Sequence, residues 1–122
     1  MPKKVLIIDD DPDLMKMYQI KLVHAGYQVS LAVNGQEGWE KLNDEKPDLA
    51  VLDYGMPVMD GLKLLEKIRK DPQLKQLPVV FLSNSAIVEQ RQHAYKLQVK
   101  DFLTKIECTP AQLVTLVNKY LH

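Results

Sequence analysis

Three short runs of apolar residues most constrain the fold of this chain, because none of them alternates with polar residues. The runs are Val5–Ile8, Leu49–Leu52 and Val79–Leu82. A strand with one solvated face alternates apolar and polar side chains, whereas a strand covered on both faces is apolar throughout. The runs therefore predict central strands of a sheet that has helices on both sides.

Segments with helical periodicity separate these runs. The first predicted helix begins at Pro12 and ends before Gly26, a residue that favours helix termination. Its predicted apolar stripe consists of Leu14, Met17, Tyr18, Leu22 and Ala25. The other predicted elements are a strand over 27–33, a turn at Asn34-Gly35, helices over 36–43, 61–70 and 86–97, a strand over 102–104, and a helix from Pro110 through Tyr120. Alternating strands and helices require parallel pairing with right-handed crossovers, so the predicted fold is α/β, a doubly wound five-stranded parallel sheet.

Composition excludes several classes of protein. A chain of 122 residues, 46% hydrophobic and 26% charged, predicts one domain over 1–122 whose core needs no disulfide or structural metal. The single cysteine, Cys108, excludes an internal disulfide and favours a reducing compartment. Lys+Arg and Asp+Glu number 16 each, so bulk charge supports neither nucleic-acid binding nor a polybasic membrane contact. The apolar stretch before Asp9 is too short for a signal peptide, and we expect a cytoplasmic protein.

Polar residues follow four of the predicted strands. They are Asp9–Asp11, Asp53, Ser83 and Lys105. In an open α/β sheet, ligands bind outside the carboxyl ends of the strands, at the switch point of the winding. We therefore expect these residues to line one shallow pocket.

The carboxylates of that pocket predict a divalent cation site. If Asp9, Asp10 and Asp53 were ionised together, at least one pKa would rise unless a cation neutralised the cluster. Oxygen ligands with room for water and phosphate suit Mg²⁺, with Mn²⁺ as a plausible substitute. Lys105 and Ser83 add an ammonium and a hydroxyl, which together favour a phosphoryl group that a carboxylate can attack.

These residues resemble the receiver domains of two-component response regulators, and are similar to the single-domain chemotaxis receivers. The resemblance extends over the whole chain and rests on residues 7–12 (IIDDDP), 47–61 (PDLAVLDYGMPVMDG), 77–83 (LPVVFLS) and 101–105 (DFLTK). It implies a flavodoxin-like fold with strand order 2-1-3-4-5. It also implies a phosphorylation-dependent signalling switch that is not otherwise an enzyme and that catalyses only its own phosphorylation and dephosphorylation.

The resemblance implies a role for each carboxylate. Asp53 is the expected phosphoacceptor, and a histidine kinase or histidine phosphotransfer protein is the expected donor in a Mg²⁺-dependent reaction. The expected metal ligands are Asp9, Asp10, Asp53 and the backbone carbonyl of Gly55, with Asp9 acting partly through metal-bound water.

The resemblance also implies which residues respond to the phosphoryl group. Lys105 is expected to pair with its oxygens, Ser83 to bond to it, and Phe102 to change rotamer in response. Gly55 and Ser85 are expected to set the lifetime of the phosphoryl group. The face formed by the fourth helix, fifth strand and fifth helix is the expected contact for a downstream protein, in a monomer or a weak dimer through that face.

Each of these residues also has an ordinary structural interpretation. Residues of Asp9–Asp11 can cap the helix that follows, Ser83 can be a turn hydroxyl, and Lys105 can be solvated. Phe102 can be a plain core residue. The three histidines are expected on the surface: His24, His93 and His122.

The chain departs from the family at two positions. Ile106 follows Lys105 where receivers usually have proline, which predicts a trans peptide bond, or a strained one. Gln98 stands where many receivers have glycine, which predicts a left-handed backbone conformation.

Two other functions compete with the switch. A phosphate-independent adaptor would keep the fold and act through its surface, and Ile106 favours this interpretation. A haloacid-dehalogenase-like phosphatase or a nucleotide-binding protein would use the same scaffold. Those classes lack their motifs here, because no second aspartate lies two residues after Asp53 and no glycine-rich phosphate loop occurs.

Overall fold

A computed structural model of the protein describes residues 2–56, 59–85 and 87–121. The strands are β1 (Lys4–Ile8), β2 (Gln28–Ala32), β3 (Leu49–Asp53), β4 (Val79–Ser83) and β5 (Asp101–Thr104). The helices are α1 (Pro12–His24), α2 (Gly35–Glu45), α3 (Gly61–Lys70), α4 (Val88–Lys96) and α5 (Pro110–Tyr120). Five positions that entered the predictions lie outside the described residues: Met1, Pro57, Val58, Ala86 and His122. Within the described ranges, no helix combines the length and the apolar character needed to cross a bilayer.

The five strands form one parallel sheet in the order β2-β1-β3-β4-β5. This arrangement confirms the predicted fold class and the flavodoxin-like strand order. The three apolar runs are the three interior strands β1, β3 and β4, and every residue of β3 and β4 is buried. The winding reverses between β1 and β3, so the carboxyl ends of these two strands form the switch point.

Two apolar clusters cover the two faces of the sheet. One contains buried residues of α2, α3 and α4, and the other contains buried residues of α1 and α5. Within β1, Leu6 and Ile8 belong to the first cluster, whereas Val5 and Ile7 belong to the second. Successive strand residues point to opposite faces, so both faces of an interior strand must be apolar.

The apolar stripe predicted for α1 is partly wrong. Tyr18 and Leu22 are fully buried, but the third buried residue of the helix is Met15. Met17 is 53% exposed and Ala25 is also exposed. Because α1 carries apolar residues on several sides, a three- and four-residue spacing fits more than one stripe.

The turn predicted at Asn34-Gly35 is confirmed only in part, since the chain bends at Val33 and Asn34 but Gly35 already belongs to α2. The Asn34 side chain accepts a hydrogen bond from the Glu37 amide at 2.8 Å, which makes Asn34 the N-cap and Gly35 the first helical residue. The left-handed conformation predicted for Gln98 is confirmed, with a φ of 63°.

Candidate functional site

The sheet brings the predicted site residues together at the carboxyl ends of four strands. Asp53 and Ser83 are the last residues of β3 and β4, while Asp9 and Lys105 directly follow β1 and β5. The register aligns Ile8 with Leu52, Leu82 with Asp53, and Ser83 with Thr104. The strands therefore end at one level and place their terminal polar residues at one edge of the sheet.

Three carboxylates of this edge converge on one point. Asp9, Asp10 and Asp53 each present an oxygen, and these oxygens lie within 4.8 Å of one another. Asp9 and Asp53 are each 2% exposed, whereas Asp10 is exposed to solvent. Carboxylate oxygens with one solvent-facing ligand suit Mg²⁺, which retains several water molecules when bound.

The ammonium of Lys105 lies against two of these carboxylates. Lys105 Nζ is 3.1 Å from Asp9 Oδ2 and 3.2 Å from Asp53 Oδ2. The lysine therefore points into the site and is not a solvated surface residue. The peptide bond between Lys105 and Ile106 is trans, as is every described peptide bond.

The electrostatics of the site follow from burial and from an excess of negative charge. Burial raises the pKa of Asp53 to about 7, repulsion from Asp9 adds to this rise, and Lys105 opposes it. Burial also raises the pKa of Asp9, although the Asp11 amide and Lys105 oppose the shift. For Lys105, burial acts to lower the pKa, but the two carboxylates outweigh it and the net shift is upward. Two buried carboxylates therefore face one ammonium, an arrangement that a divalent cation would stabilise.

The helix cap at the start of α1 is provided by Asp11. Its side chain accepts a hydrogen bond from the Leu14 amide at 3.1 Å, as an N-cap residue does. The Asp11 amide in turn donates to Asp9 Oδ1 at 2.9 Å. The neighbouring Asp9 is thus oriented toward the site by the residue that caps the helix.

The loop after β3 carries Gly55 beside Asp53. The Gly55 amide is 3.4 Å from Asp53 Oδ1, and a side chain at position 55 would meet no atom within 4 Å. Ser85, which follows β4, donates its amide to Ser83 Oγ at 3.3 Å and is itself exposed. Open space therefore lies beside Gly55, and Ser85 is exposed next to the carboxyl end of β4.

Ser83 and Phe102 are both buried, at 4% and 1% exposure. The Phe102 ring packs edge-on against Phe81 at 6.0 Å and against Tyr54 at 6.3 Å between centroids. The Arg91 guanidinium of α4 lies 5.4 Å from the Phe102 centroid. Phe102 thus links the aromatic core beneath Asp53 to helix α4.

Sequence reasoning missed a pair of residues that flank Lys105. The Thr104 amide and hydroxyl both donate to Glu107 Oε1, at 3.1 and 2.7 Å, and the Glu107 amide donates to Thr104 Oγ1 at 3.2 Å. The T-x-x-E spacing was the available signal, because it is the pattern of a capping box. The predicted surface positions of His24 and His93 are confirmed, since both are exposed.

Comparison with known proteins assigns the family. The model of the response regulator receiver domain matches residues 5–118. The chain is 33% identical over 122 residues to the probable transcriptional regulator ycf29 of Porphyra purpurea, which covers 100% of this chain and 58% of that protein. The chain belongs to the response regulator receiver domain family.

Two solved structures are similar over nearly the whole chain. Chemotaxis protein CheY4 of Vibrio cholerae superposes with a TM-score of 0.91 at 28% identity, covering 99% of this chain and 100% of that chain. The phosphorylated cyanobacterial phytochrome response regulator RcpA superposes with a TM-score of 0.89 at 27% identity, covering 99% and 95%. The chain spans little more than half the length of ycf29.

Proposed function

We propose that this receiver domain, taken as one domain over residues 1–122, is a phosphorylation-dependent signalling switch. Asp53 accepts a phosphoryl group from a histidine kinase or histidine phosphotransfer protein, in a Mg²⁺-dependent reaction. The observation that carries the proposal is the Lys105 ammonium, 3.1 and 3.2 Å from two buried carboxylates at the ends of β1 and β3. RcpA, a receiver of the same fold, is described as phosphorylated, which supports the same chemistry here.

The residues present fit a bound Mg²⁺. Asp9, Asp10, Asp53 and the Gly55 backbone carbonyl would hold the cation, with Mn²⁺ as a substitute. When bound, the cation would neutralise charge on the carboxylates and on the incoming phosphoryl oxygens. The carboxylate of Asp53 then forms a bond to phosphorus while the bond from phosphorus to the donor imidazole nitrogen breaks. The imidazole takes up a proton as it leaves, and Lys105 stabilises the charge on the transferred group.

The switch would act through the face formed by α4, β5 and α5. Addition of a dianionic group at Asp53 draws Ser83 and Lys105 toward it, and Phe102 repacks with them. Helix α4 is suited to move because its N-terminus has no side-chain cap and Ala94 is its buried residue. Phosphorylation shifts the population between two arrangements of this face, to the extent that it interacts differently with each.

Two surfaces are available for partners. Helix α1, which begins two residues after Asp10, exposes three apolar side chains, Met17, Ile20 and Val23, at 53%, 60% and 52%. We assign the exposed surface of Met17, Ile20 and Val23 to contact with the phosphoryl donor. We assign the α4-β5-α5 face to contact with the downstream protein or to a weak dimer. Cys108 is a buried free thiol, which fits a cytoplasmic setting.

The phosphate-independent adaptor is the second candidate function. Its support is Ile106, which replaces the usual proline and is 89% exposed. The contacts of Lys105 with Asp9 and Asp53 favour the switch, because they persist in spite of Ile106. A phosphate-independent adaptor does not require an ammonium that can bind a phosphoryl group in a buried acidic site.

Backbone NMR separates these two functions. Amide resonances of the ¹⁵N-labelled protein would be followed during addition of Mg²⁺ and then acetyl phosphate, with Asp53→Asn as the control. The switch predicts donor-dependent shifts in α4, β5 and α5 that are absent from Asp53→Asn. Shifts confined to the metal site, with no response to the phosphodonor, would favour the adaptor.

A further inference from the structure

The turn that carries Lys105 is closed by a reciprocal pair of side chains. The Thr104 amide and hydroxyl donate to Glu107 Oε1, and the Glu107 amide donates back to Thr104 Oγ1, at 3.1, 2.7 and 3.2 Å. These are the bonds of a capping box, formed on a single turn that does not continue into a helix. We call these three hydrogen bonds the Thr104–Glu107 clasp.

The turn is also anchored at both of its ends. The Lys105 amide donates to the Ser83 carbonyl at 2.8 Å, which ties the start of the turn to β4. The Cys108 amide donates to the Thr104 carbonyl at 3.2 Å, and the buried Tyr18 hydroxyl donates to the Cys108 carbonyl at 2.7 Å. The clasp therefore restrains the part of the turn between two fixed anchors, and that part contains Lys105 and Ile106.

This restraint matters because of what stands at position 106. A proline after the lysine would fix its own φ and so stiffen the turn, whereas isoleucine leaves φ free. Ile106 is 89% exposed, so side-chain packing does little to hold it. Without the clasp, the backbone on the carboxyl side of Lys105 would have only its hydrogen-bonded anchors to define its path.

The Lys105 ammonium must contact two carboxylates at once, so its position is tightly constrained. Lys105 Nζ lies within 3.2 Å of an oxygen of both Asp9 and Asp53, and a long side chain reaches two partners only from a defined starting point. A displacement of about 1 Å in such a group can cost on the order of 100-fold in rate. The clasp itself lies at the surface, since Glu107 is exposed, so its contribution to global stability is small.

We propose that the Thr104–Glu107 clasp positions Lys105 for phosphoryl transfer, and that it does so in place of the proline that usually follows this lysine. Thr104 and Glu107 are thus positioning residues that act through Lys105 and do not touch the transferred group. The inference rests on the proposed function, because it assigns Lys105 a role in phosphorylation of Asp53. It goes beyond that function by naming what holds the lysine in place.

A double-mutant cycle tests the inference. The rate of acetyl phosphate-dependent phosphorylation with Mg²⁺ would be measured by intact-protein mass spectrometry for Glu107→Ala and Thr104→Val. Each is expected to lower the rate by roughly 10-fold. The matched variants Glu107→Gln and Thr104→Ser keep an acceptor oxygen and a hydroxyl, and are expected to stay within about 2-fold of the unmodified protein. In a Lys105→Met background, Glu107→Ala is expected to have no further effect.

A second measurement does not depend on phosphorylation. The ¹H–¹⁵N heteronuclear NOE of the Lys105 and Ile106 amides reports fast backbone motion, and it is expected to fall in Glu107→Ala but not in Glu107→Gln. If the unmodified protein takes up no phosphoryl group, the proposed function fails. The NOE still shows whether the clasp restrains the backbone at Lys105 and Ile106. An unchanged NOE in Glu107→Ala would overturn the inference. An equal loss of rate in the presence and absence of Lys105 would also overturn it, because the effect would then be structural.

Discussion

Lys105 reaches Asp53 across the end of a strand that separates them. Lys105 Nζ lies 3.2 Å from Asp53 Oδ2, although β4 lies between β3 and β5 in the sheet. The same ammonium contacts Asp9 at the end of β1, so one side chain connects the ends of β1, β3 and β5. Because two buried carboxylates share this single ammonium, the site carries an excess of negative charge that a divalent cation would offset.

The first prediction concerns stability and pH in metal-free protein. Burial raises the pKa of Asp53 from 3.8 to about 7, so between these values the folded state binds more protons than the unfolded state. The free energy of unfolding is therefore expected to fall as pH rises through this interval. Asp53→Asn removes the titration, and we expect it to flatten the dependence and to stabilise the protein at pH 8 by about 1–2 kcal/mol. Urea denaturation at a series of pH values with a chelator checks this.

A control substitution and the addition of Mg²⁺ extend the denaturation experiment. The exposed-site control Asp44→Asn is expected to keep the pH dependence of the unmodified protein. Addition of Mg²⁺ at pH 8 is expected to restore stability, because the cation binds the folded state preferentially. A free energy of unfolding that rises between pH 4 and pH 7 would contradict the assigned electrostatics.

The second prediction concerns Lys105, whose removal is expected to move two properties in opposite directions. Lys105→Met leaves the carboxylates of Asp9 and Asp53 without their ammonium, so Mg²⁺ affinity measured by calorimetry is expected to rise by about 3- to 10-fold. Phosphorylation by acetyl phosphate is expected to slow by roughly 100-fold. The surface variant Lys96→Met should change neither quantity. Weaker Mg²⁺ binding in Lys105→Met would mean that the lysine supports the metal site structurally.

The third prediction concerns Gly61, the first residue of α3. A Cβ at this position would overlap the carbonyl group of Asp53 and touch the Phe81 ring. We expect Gly61→Ala to destabilise the fold by about 2–3 kcal/mol and to slow phosphorylation, because the displaced backbone carries Asp53, the proposed phosphoacceptor. Gly55→Ala meets no atom within 4 Å and is expected to change the free energy of unfolding by less than about 0.5 kcal/mol. Equal stability of the two variants in chemical denaturation would refute the packing argument.

The fourth prediction concerns the lifetime of the phosphoryl group. Gly55 and Ser85 are both exposed, and under the proposed function they would leave a phosphoryl group on Asp53 open to water. The double variant Gly55→Gln/Ser85→Tyr is expected to lengthen the half-life by about tenfold, equivalent to ~1.4 kcal/mol of activation free energy. The half-life would be followed by mass spectrometry after removal of the phosphodonor. Gln76→Tyr, at an exposed position away from the site, is the control. Unchanged hydrolysis in the double variant would show that Gly55 and Ser85 do not set the phosphoryl lifetime.

The interior of the sheet could be predicted from sequence because its residues obey a simple rule. Strands β1, β3 and β4 are covered on both faces, so they appear as uninterrupted apolar runs, and each ends next to a polar residue of the site. The buried side of α1 could not be predicted in the same way. Positions 15 and 17 are both methionine, so residue type cannot distinguish them. Packing against α5 and the sheet determines that Met15 is the buried one.

Other contacts left little local signal in the sequence. Arg69 donates to the carbonyl groups of Leu97 and Gln98 at the end of α4, and to those of Lys75 and Leu77 before β4. These bonds join segments distant in sequence and use backbone acceptors, which no residue pattern marks. The Thr104–Glu107 clasp has a recognisable spacing, but the same spacing occurs in ordinary loops, so its importance becomes clear only once Lys105 is seen beside it.

Phosphorylation of Asp53 can be tested by intact-protein mass spectrometry after incubation with Mg²⁺ and acetyl phosphate. We predict a mass gain of one phosphoryl group that depends on Mg²⁺, is lost when a chelator is added beforehand, and is absent from Asp53→Asn. A folded, Mg²⁺-binding protein that gains no phosphoryl group would rule out phosphorylation at Asp53, as would an adduct of equal yield in Asp53→Asn.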